Sequence, residues 1–432
     1  MSGSFMPRKA SPEDLAAAQL DGLKWTVSHA YNNSLFYRQK LDEAGVTPDG
    51  IRSLDDLRRL PFTSASDLQE GYPFPLRAVD FEKIVRVHAS SGTTGKRKVL
   101  CYSQKDIDDW AQMFARCYEM AGLTREDRIQ IAVGYGLWTA GVGFQLGCER
   151  FGAMAVPVGP ANTEIHCQML VDLQSTVFCA TASMALLIAE EIEKRGLRDQ
   201  IALKTFIFGA ERHSRRMRER IREITGVDRL FDIPGLTELY GPGTGLECTA
   251  HEGIHYWADY YILEIIDPET LEPLPPGEIG EMVVTTLRKE AAPLIRYRTR
   301  DLTRLITGPC PCGNPLPRQD HILGRSDDMF IFRAVNIYPG QIEYVLSQIP
   351  AVGSEYQVHL HHREDGRDVM LIKLERTFED SPDADRQLAD LIESEIRKQI
   401  MVRARVEIVE YGTLPRTDRK SRRVFDHRSE AR

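Results

Sequence analysis

The pattern of apolar and polar positions divides the chain into regions with different periods. Residues 11–45 carry apolar side chains at helical spacing, which predicts helices packed on a larger body. From about residue 84 onward, short apolar runs rich in β-branched residues alternate with amphipathic stretches. After residue 255 the helical period fades, and a strand-rich stretch follows with a Pro/Gly turn at 273–277.

The alternating region predicts a parallel sheet. Its expected elements, in order, are a strand at 84–90, a helix at 104–121, a strand at 129–136, a helix at 139–151, a strand at 153–159, a helix at 163–173, a strand at 176–181, a helix at 183–195 and a strand at 205–211. Such alternation indicates parallel strands with helices on both faces. The predicted fold class is therefore α/β, with a β-rich subdomain after the parallel sheet.

A charged turn separates this region from a smaller one. Strands near 354–361 and 367–375 and a helix near 384–399 predict a compact α+β unit of about 100 residues, a usual size for a small domain. The prediction is a large domain over residues 1–325, which binds the nucleotide and the acid, and a mobile small domain over residues 326–432.

Composition and charge exclude several classes of protein. A chain of 432 residues is too long for one ordinary core. The net charge of −8 provides no general basic surface, so we expect no nucleic-acid partner. No apolar run is long enough to span a membrane and the first residues lack a signal-peptide core, so a cytoplasmic protein without a membrane partner is expected. Eight cysteines are too few for a disulfide framework and should be thiols or metal ligands.

The segment SSGTTGK, directly after the first strand of the alternating region, predicts an anion-binding loop. It comprises Ser90, Ser91, Gly92, Thr93, Thr94, Gly95 and Lys96. Glycines allow sharp turns that point backbone N–H groups at an anion, while hydroxyls and a lysine add donors and positive charge. Only two residues separate the glycines and Arg97 follows the lysine, so the P-loop of NTPases does not fit. A polar surface turn is the alternative for the heptapeptide alone.

Further motifs follow in order: GYGLWTAG, FGAE, GLTE, GPG, IRYRTRD, GRSDDM and LPRTDRK. With these motifs collinear from about residue 15 to residue 428, the chain resembles the phenylacetate-CoA ligase branch of the adenylate-forming enzymes. The resemblance implies that ATP activates a small aromatic carboxylic acid as an acyl-adenylate and that coenzyme A then accepts the acyl group. Transfer to an amine or a carrier-protein thiol, and a degenerate nucleotide- or acid-binding sensor, stay open. A homodimer is a further expectation.

The resemblance also implies roles for residues that would bind ATP. The loop from Ser90 to Lys96 would grip the β- and γ-phosphates, Thr237 would hold the α-phosphate and Glu238 would hold Mg²⁺, which prefers oxygen ligands. Asp301 would accept both ribose hydroxyls. The remaining predicted nucleotide contacts are Gly209, Ala210, Glu211 and Arg325.

Two residues of the predicted small domain are assigned to the catalytic cycle. In the family, the lysine that matches Lys420 bridges the carboxylate and the α-phosphate during adenylation, a role that suits a point cation on a long flexible side chain. Asp327 matches the hinge about which the small domain turns between the two half-reactions.

The acid pocket is expected where strand ends and loops converge. Its candidate residues are Tyr135, Gly136, Trp138, Phe208 and Pro234. Small residues beside aromatic ones leave room for a flat ring. Trp138 and Phe208 could equally be core residues. Pro234 stands where the family has an aromatic residue.

Two pairs of residues predict a structural zinc site. Cys248 and His251 form a C-x-x-H pair, and Cys310 and Cys312 form the later sequence PCPCG. Three cysteines and one histidine make a common tetrahedral Zn²⁺ shell, which leaves no position open for catalysis. His255 is the alternative fourth ligand.

Overall fold

The computed structural model describes residues 4–7, 10–90, 96–211, 213, 215–333, 335–362, 368–376, 381–415 and 423–428. Contacts divide the chain into two compact units. The first contains Met1–Ala180, Asp199–Ala210 and Asp228–Ile322, and the second contains Thr181–Arg198, Glu211–Val227 and Leu323–Arg432. The domain boundary predicted at residue 325 stays a prediction, because two earlier helices also cluster with the second unit. Within the described residues, none of the helices is both long enough and apolar enough to cross a membrane.

The helices of the first unit have capping residues at some of their ends. They are α1 (Pro12–Asn33), α2 (Leu35–Glu43), α3 (Ala65–Glu70), α4 (Gln104–Met120), α5 (Ala140–Phe151) and α6 (Thr163–Asp172), with 3-10 helices at Pro48–Gly50, Leu54–Arg59 and Phe81–Lys83 and a further one at Arg198–Gln200. The Ser103 hydroxyl accepts from the backbone N–H of Asp106 at the start of α4, and Gly152 ends α5 in the left-handed conformation. The apolar face of α4, including Trp110 and Phe114, is buried in the core of this unit.

The parallel sheet predicted from the sequence is present. Its strands are β3 (Arg128–Ile131), β4 (Met154–Val156), β5 (Val177–Thr181), β6 (Thr205–Gly209) and β7 (Arg229–Ile233), in the order β4-β3-β5-β6-β7. Strand β3 pairs in parallel with β4 and β5, and β6 pairs in parallel with β7. Every residue of β5 and β6 is buried, as expected for continuous apolar runs in a parallel sheet.

Two antiparallel hairpins carry the motifs that matter for binding. Strand β1 (Ile84–Ala89) pairs with β2 (Val99–Ser103), and β8 (Gly235–Leu236) pairs with β9 (Gly241–Pro242). The expectation that the strand at 84–90 joins the parallel strands is wrong. A nearby antiparallel partner, residues 99–103, takes up its backbone hydrogen bonds instead.

The strand-rich stretch after residue 242 builds antiparallel sheets. Strands β12 (Tyr261–Ile266), β13 (Gly280–Thr286) and β14 (Tyr297–Thr303) pair in sequence. A second sheet has the order β10-β11-β16-β15, from β10 (Gly245–Glu247), β11 (Ile254–Tyr256), β15 (Leu305–Ile306) and β16 (Arg318–Gln319).

The second unit has its own apolar core. Its elements are α7 (Ala182–Arg195), α8 (Arg215–Thr225), β17 (Gly324–Arg325), β18 (Phe330–Phe332), β19 (Val335–Ile337), α9 (Pro339–Ser347), β20 (Val352–His362), β21 (Asp368–Arg376), α10 (Pro382–Ile400), β22 (Arg405–Val409) and β23 (Val424–Asp426). Strands β18 and β19 pair with each other, and the main sheet has the order β22-β21-β20-β23. Ile392, Ile396 and Ile400 recur every fourth residue on the buried face of α10.

Candidate active site and cysteine cluster

The hairpin of β8 and β9 presents Thr237 and Glu238 at its turn. The register pairs Gly235 with Pro242, so GLTE forms the first strand and the start of the turn. Behind the turn, the buried Tyr102 hydroxyl lies 3.2 Å from the carbonyl oxygen of Thr237 and 3.0 Å from that of Tyr240. These contacts fix the backbone on both sides of Glu238.

The Glu238 side chain is almost completely buried and paired with a cation. It forms an ion pair with Lys98, and one carboxylate oxygen accepts a 2.9 Å hydrogen bond from the Tyr297 hydroxyl. Burial acts to raise the pKa of Glu238, but the Lys98 charge and the hydrogen bonds from Lys98 and Tyr297 together outweigh it, so the net shift is downward. The carboxylate therefore stays ionised inside the protein, which is the state that a divalent cation requires.

A second lysine lies beneath the same hairpin and is completely buried. The Lys289 ammonium donates a 2.7 Å hydrogen bond to the backbone carbonyl of Glu238 and lies about 5 Å from the ring centroids of Tyr102 and Tyr240. Burial lowers the pKa of Lys289 to about 8, although the Asp106 charge acts in the opposite direction. Removal of this group would leave a buried carbonyl without its donor.

The start of the predicted phosphate loop is connected to this hairpin through Lys98. Ser90 lies at the end of β1, and its N–H donates to the carbonyl of Lys98, the residue that pairs with Glu238. The Ser90 hydroxyl is buried and has no hydrogen-bond partner among the described residues. The Lys96 ammonium lies over the Tyr72 ring, 5.7 Å from its centroid. Residues 91–95, which include Ser91, Gly92, Thr93, Thr94 and Gly95, lie outside the described residues.

Asp301 lies on the strand that also carries Tyr297. Val283 pairs with Arg298 but Glu281 pairs with Leu302, so residues 299–301 form a bulge opposite one residue of β13. The bulge leaves Asp301 partly exposed on the strand whose first residue bonds to Glu238.

The loop after β3 contains three of the predicted acid-binding residues and lies beside β1. The Leu137 carbonyl accepts a 2.8 Å hydrogen bond from the Ala89 N–H, one residue before Ser90. Gly136, at φ 93°, supplies the left-handed turn that this loop needs. The Tyr135 ring is partly buried, and its hydroxyl is buried with no hydrogen-bond partner among the described residues.

The remaining acid-binding candidates differ in exposure. Trp138 and Pro234 are partly buried, whereas Phe208 is completely buried within β6. Phe208 therefore has the surroundings of a core residue, and its contact with an acid stays a prediction.

Gly209 and Ala210, from FGAE, lie at the end of β6 in the first unit. A side chain at Gly209 would collide with the Ile233 carbonyl of β7, which explains the glycine. Ala210 is exposed and has φ 69°, an uncommon conformation for a residue with a Cβ.

The other predicted nucleotide and hinge residues belong to the second unit. A Glu211 carboxylate oxygen accepts a 2.6 Å hydrogen bond from the backbone N–H of Ser183, while burial raises the pKa of Glu211. Arg325 makes a two-point ion pair with Asp327, at 2.9 Å for each contact. Lys420 lies outside the described residues.

Three cysteines and one histidine of the first unit form a compact cluster, the cysteine cluster. Cys248, His255, Cys310 and Cys312 place their potential ligand atoms within 4.8 Å of one another. The Cys248 and Cys310 sulfurs are 3.5 Å apart, and the Cys312 sulfur is 3.3 Å from His255 Nε2. His255 Nδ1 faces the Leu316 carbonyl at 2.8 Å, which favours a proton on Nδ1 and leaves Nε2 as an acceptor toward the thiols.

The predicted choice of His251 as the fourth side chain is corrected by this geometry. His251 itself has φ 55°, and its Nδ1 lies 3.2 Å from a Glu247 carboxylate oxygen. His255 lies on β11, completely buried, where the pairing with β16 holds it beside the loop of Cys310 and Cys312. Sequence spacing favoured C-x-x-H, whereas the sheet register decides which histidine reaches the cysteines.

Sequence reasoning did not identify Lys98, Tyr297, Asp106 or Lys289. Lys98 and Tyr297 lie inside or beside quoted motifs, so their position could have suggested them. Lys289 stands between Arg288 and Glu290, and such a charged run is typical of a solvent-exposed surface. Only the fold reveals its burial.

Comparison with known proteins agrees with this arrangement. The family model described as "AMP-binding enzyme" matches residues 28–287, and the one described as "AMP-binding enzyme C-terminal domain" matches residues 334–428. Phenylacetate-coenzyme A ligase of Escherichia coli (strain K12) is 41% identical over 425 residues, which cover 97% of this chain and 96% of that protein. The protein of the same name from Aromatoleum evansii is 42% identical over 428 residues, with the same two coverages.

A solved structure is similar over the whole chain. It is 2-hydroxyisobutyryl-CoA ligase in the postadenylation state, with a TM-score of 0.88 and 26% identity, covering 100% of this chain and 96% of that one. Family models over most of the chain and relatives above 40% identity over nearly all of it lead to one conclusion. The chain belongs to the phenylacetate-coenzyme A ligase branch of the AMP-binding enzymes and is an AMP-forming acid–thiol ligase.

Proposed function

We propose that this enzyme activates phenylacetate or a closely related aromatic acid with ATP and transfers the acyl group to coenzyme A. The observation that carries the proposal is the identity of 41–42% with phenylacetate-coenzyme A ligases over 97% of the chain. In the first step a carboxylate oxygen attacks the α-phosphorus and pyrophosphate leaves. In the second step the thiol sulfur attacks the acyl carbon, AMP leaves with its oxygen, and the thiol proton goes to solvent.

Offsetting negative charge is the main chemical task of the first step, because a carboxylate must approach a polyphosphate. The loop from Ser90 to Lys96 would bind the β- and γ-phosphates through backbone N–H groups, hydroxyls and the Lys96 ammonium. Thr237 would hold the α-phosphate, and Asp301 would accept the ribose hydroxyls. The Ser90 hydroxyl, which is buried and has no hydrogen-bond partner among the described residues, supports this assignment.

Glu238 is suited to hold the Mg²⁺ that accompanies ATP. Its carboxylate is ionised and buried, and a hard divalent cation prefers such an oxygen ligand. Mg²⁺ would offset phosphate charge when bound. Lys98 supplies the counter-charge to Glu238 in the absence of ATP, and Lys289 and Tyr102 hold the hairpin backbone.

The loop of Tyr135, Gly136 and Trp138 is the proposed binding surface for the acid. Two aromatic side chains flank a glycine, and the backbone bond from Ala89 to Leu137 keeps this loop beside the phosphate loop. Phe208 and Pro234 would complete the surface. A flat ring in this place would put its carboxylate near the nucleotide.

The second step would use the small domain. We assign the hinge to Asp327, whose ion pair with Arg325 would break and reform as the backbone turns. Lys420 would bridge the acid and the α-phosphate in the first step only. Arg325, Gly209, Ala210 and Glu211 would contribute to nucleotide binding.

Structural zinc is the proposed occupant of the cysteine cluster. Three thiols and an imidazole nitrogen form a common Zn²⁺ donor set, and the Nδ1 contact of His255 orients its Nε2. Four protein ligands leave no open position, so the metal would stabilise the loop of Cys310 and Cys312. The homodimer and the cytoplasmic location stay predictions.

A pyrophosphate-exchange assay with a small set of acids tests the substrate. The set contains phenylacetate, benzoate and 2-hydroxyisobutyrate, the last because of the similar ligase structure. We expect the highest kcat/KM with phenylacetate or another aromatic acid, and a CoA thioester by mass spectrometry when CoA is added. Preference for the aliphatic acid, or adenylation without a CoA thioester, contradicts the proposal.

Lys420→Ala separates the two half-reactions. It should abolish adenylation and leave thioester formation from a supplied acyl-adenylate nearly unchanged, because Lys420 is required only in the first step. Lys398→Ala, on the exposed face of α10, is the matched control. Equal loss of both half-reactions in Lys420→Ala contradicts this role.

A further inference from the structure

Three histidines form a second cluster, the histidine cluster, on the main sheet of the second unit. His359, His361 and His427 place ring nitrogens within 4.8 Å of one another on a partly exposed surface. None of these residues has a role in the proposed ligase reaction.

Strand geometry explains why the three rings meet. Residues alternate between the two faces of β20, so Val358 and Leu360 enter the core while His359 and His361 share the opposite face. Strand β23 pairs in parallel with β20, with His359 opposite Phe425, and the His427 N–H donates to the Leu360 carbonyl. This register puts His427 beside His361, and their ring centroids are 4.6 Å apart.

The distances suit one shared cation. His359 Nδ1 and His427 Nε2 are 3.2 Å apart. Two imidazole nitrogens bound to the same ion at the usual zinc distance are separated by about 3.3 Å in tetrahedral geometry. A cation could therefore replace the proton between these two nitrogens. The His361 ring is stacked on the His427 ring with an interplanar angle of 6°, so it must turn about its Cβ–Cγ bond to direct a nitrogen at the same cation.

A neighbouring glutamine prepares His359 for this role. Gln357 Oε1 lies 3.1 Å from His359 Nε2, and an amide oxygen can only accept a hydrogen bond. His359 therefore carries its proton on Nε2 and directs the lone pair of Nδ1 toward His427. Metal-binding histidines have such a partner on their other nitrogen.

Nearby charge does not oppose a cation strongly. Lys373, on the adjacent strand β21, is paired with Glu407 at 3.4 Å. His362 points to the other side of β20 and pairs with Asp368 at 2.7 Å, so it does not belong to the cluster. His362 therefore offers a matched control on the same strand.

We propose that His359, His361 and His427 form a site for a borderline divalent cation such as Zn²⁺ or Ni²⁺, separate from the cysteine cluster. Imidazole ligands suit these ions, and three protein ligands leave positions open for water. The cation links β20 to β23 and so stabilises the last strand of the unit, which directly follows residues 416–422.

Calorimetric titration with Ni²⁺ tests the site, on full-length protein that holds one zinc per chain, the amount that the cysteine cluster takes. We expect His427→Ala to weaken Ni²⁺ binding by at least about tenfold, and Gln357→Ala to weaken it by about 10- to 100-fold because the tautomer is no longer fixed. His362→Ala should bind Ni²⁺ as the unchanged protein does. Ni²⁺ should also raise the melting temperature of the unchanged protein but not of His427→Ala.

His361→Ala serves as the second ligand variant if His427→Ala does not fold. Absence of Ni²⁺ binding, unchanged binding in both ligand variants, or an equal loss of binding in His362→Ala each overturns the proposal. Unchanged binding in Gln357→Ala overturns the tautomer argument.

Discussion

The Glu238 hairpin and the cysteine cluster both contain side chains from distant parts of the first unit, but the charge of their ionisable groups is balanced in different ways. Glu238 is paired inside the protein, with Lys98 beside its carboxylate and Lys289 beneath its backbone. The cysteine cluster gathers three thiols and one imidazole within 4.8 Å. Burial raises the pKa of Cys248 to about 12, so its thiolate depends on a bound cation.

Under the proposed assignments, this difference separates a nucleotide site that must empty and refill from a metal site that keeps its ion. A site that binds MgATP in every turnover must stay folded without it, and internal lysines supply that stability. In a structural metal site the bound ion can balance the negative charge of the thiolates, because the ion is not released during turnover. The predictions below test the two halves of this contrast.

The largest effect is expected for Glu238→Gln. The amide keeps the shape of the side chain but loses the charge that would hold Mg²⁺, so pyrophosphate exchange should fall by at least about 100-fold. Glu278→Gln, at an exposed turn, should retain full exchange activity. Full activity in Glu238→Gln, with an unchanged melting temperature, would show that Glu238 is not part of the active site.

A pair of histidine variants tests the cysteine cluster. His255→Ala should weaken zinc binding by at least about tenfold, while His251→Ala should keep its zinc, because only His255 reaches the cysteines. Zinc content after dialysis against a chelator, measured by elemental analysis, gives the comparison. The opposite result would restore His251 as the ligand.

Lys289→Met tests whether Lys289 stabilises the Glu238 hairpin. Methionine fills the same space but leaves the buried Glu238 carbonyl without its donor, which should lower the free energy of unfolding by about 1–3 kcal/mol. Lys194→Met, at a largely exposed position, should change it by less than about 0.5 kcal/mol. Denaturant unfolding measures both, and equal effects would show that Lys289 contributes no more than a surface lysine.

A smaller effect concerns pH. Burial lowers the pKa of Lys289 to about 8, so above that pH the folded protein releases a proton that the unfolded chain still holds. Stability from this group therefore rises with pH until the unfolded lysine also titrates, by at most about 1.4 kcal/mol per pH unit. The stability difference between the unchanged protein and Lys289→Met should widen from about pH 8 to about pH 9.5. A constant difference would mean that Lys289 titrates normally.

The sequence predicted the parallel sheet well because β5 and β6 are continuous apolar runs that can exist only between covering layers. It misassigned the strand at 84–90, because a local apolar run does not reveal its partner and β2 is short. Among the site residues, Glu238 was predicted from a motif, but Lys98 and Lys289 were not, since burial of a lysine depends on residues far away in the chain.

The sequence by itself determined the family, the order of the motifs and the kinds of side chain available for ATP, acid and metal. The motifs and the kinds of side chain can be read directly from the sequence, and the family follows from the resemblance that these ordered motifs carry. Only the tertiary structure decided that His255 rather than His251 meets the cysteines, that Lys98 neutralises Glu238, and that three histidines converge on β20 and β23. Each of these outcomes depends on strand register, which is set by long-range pairing and core packing, and a shift of one residue would turn the same side chains to the opposite face.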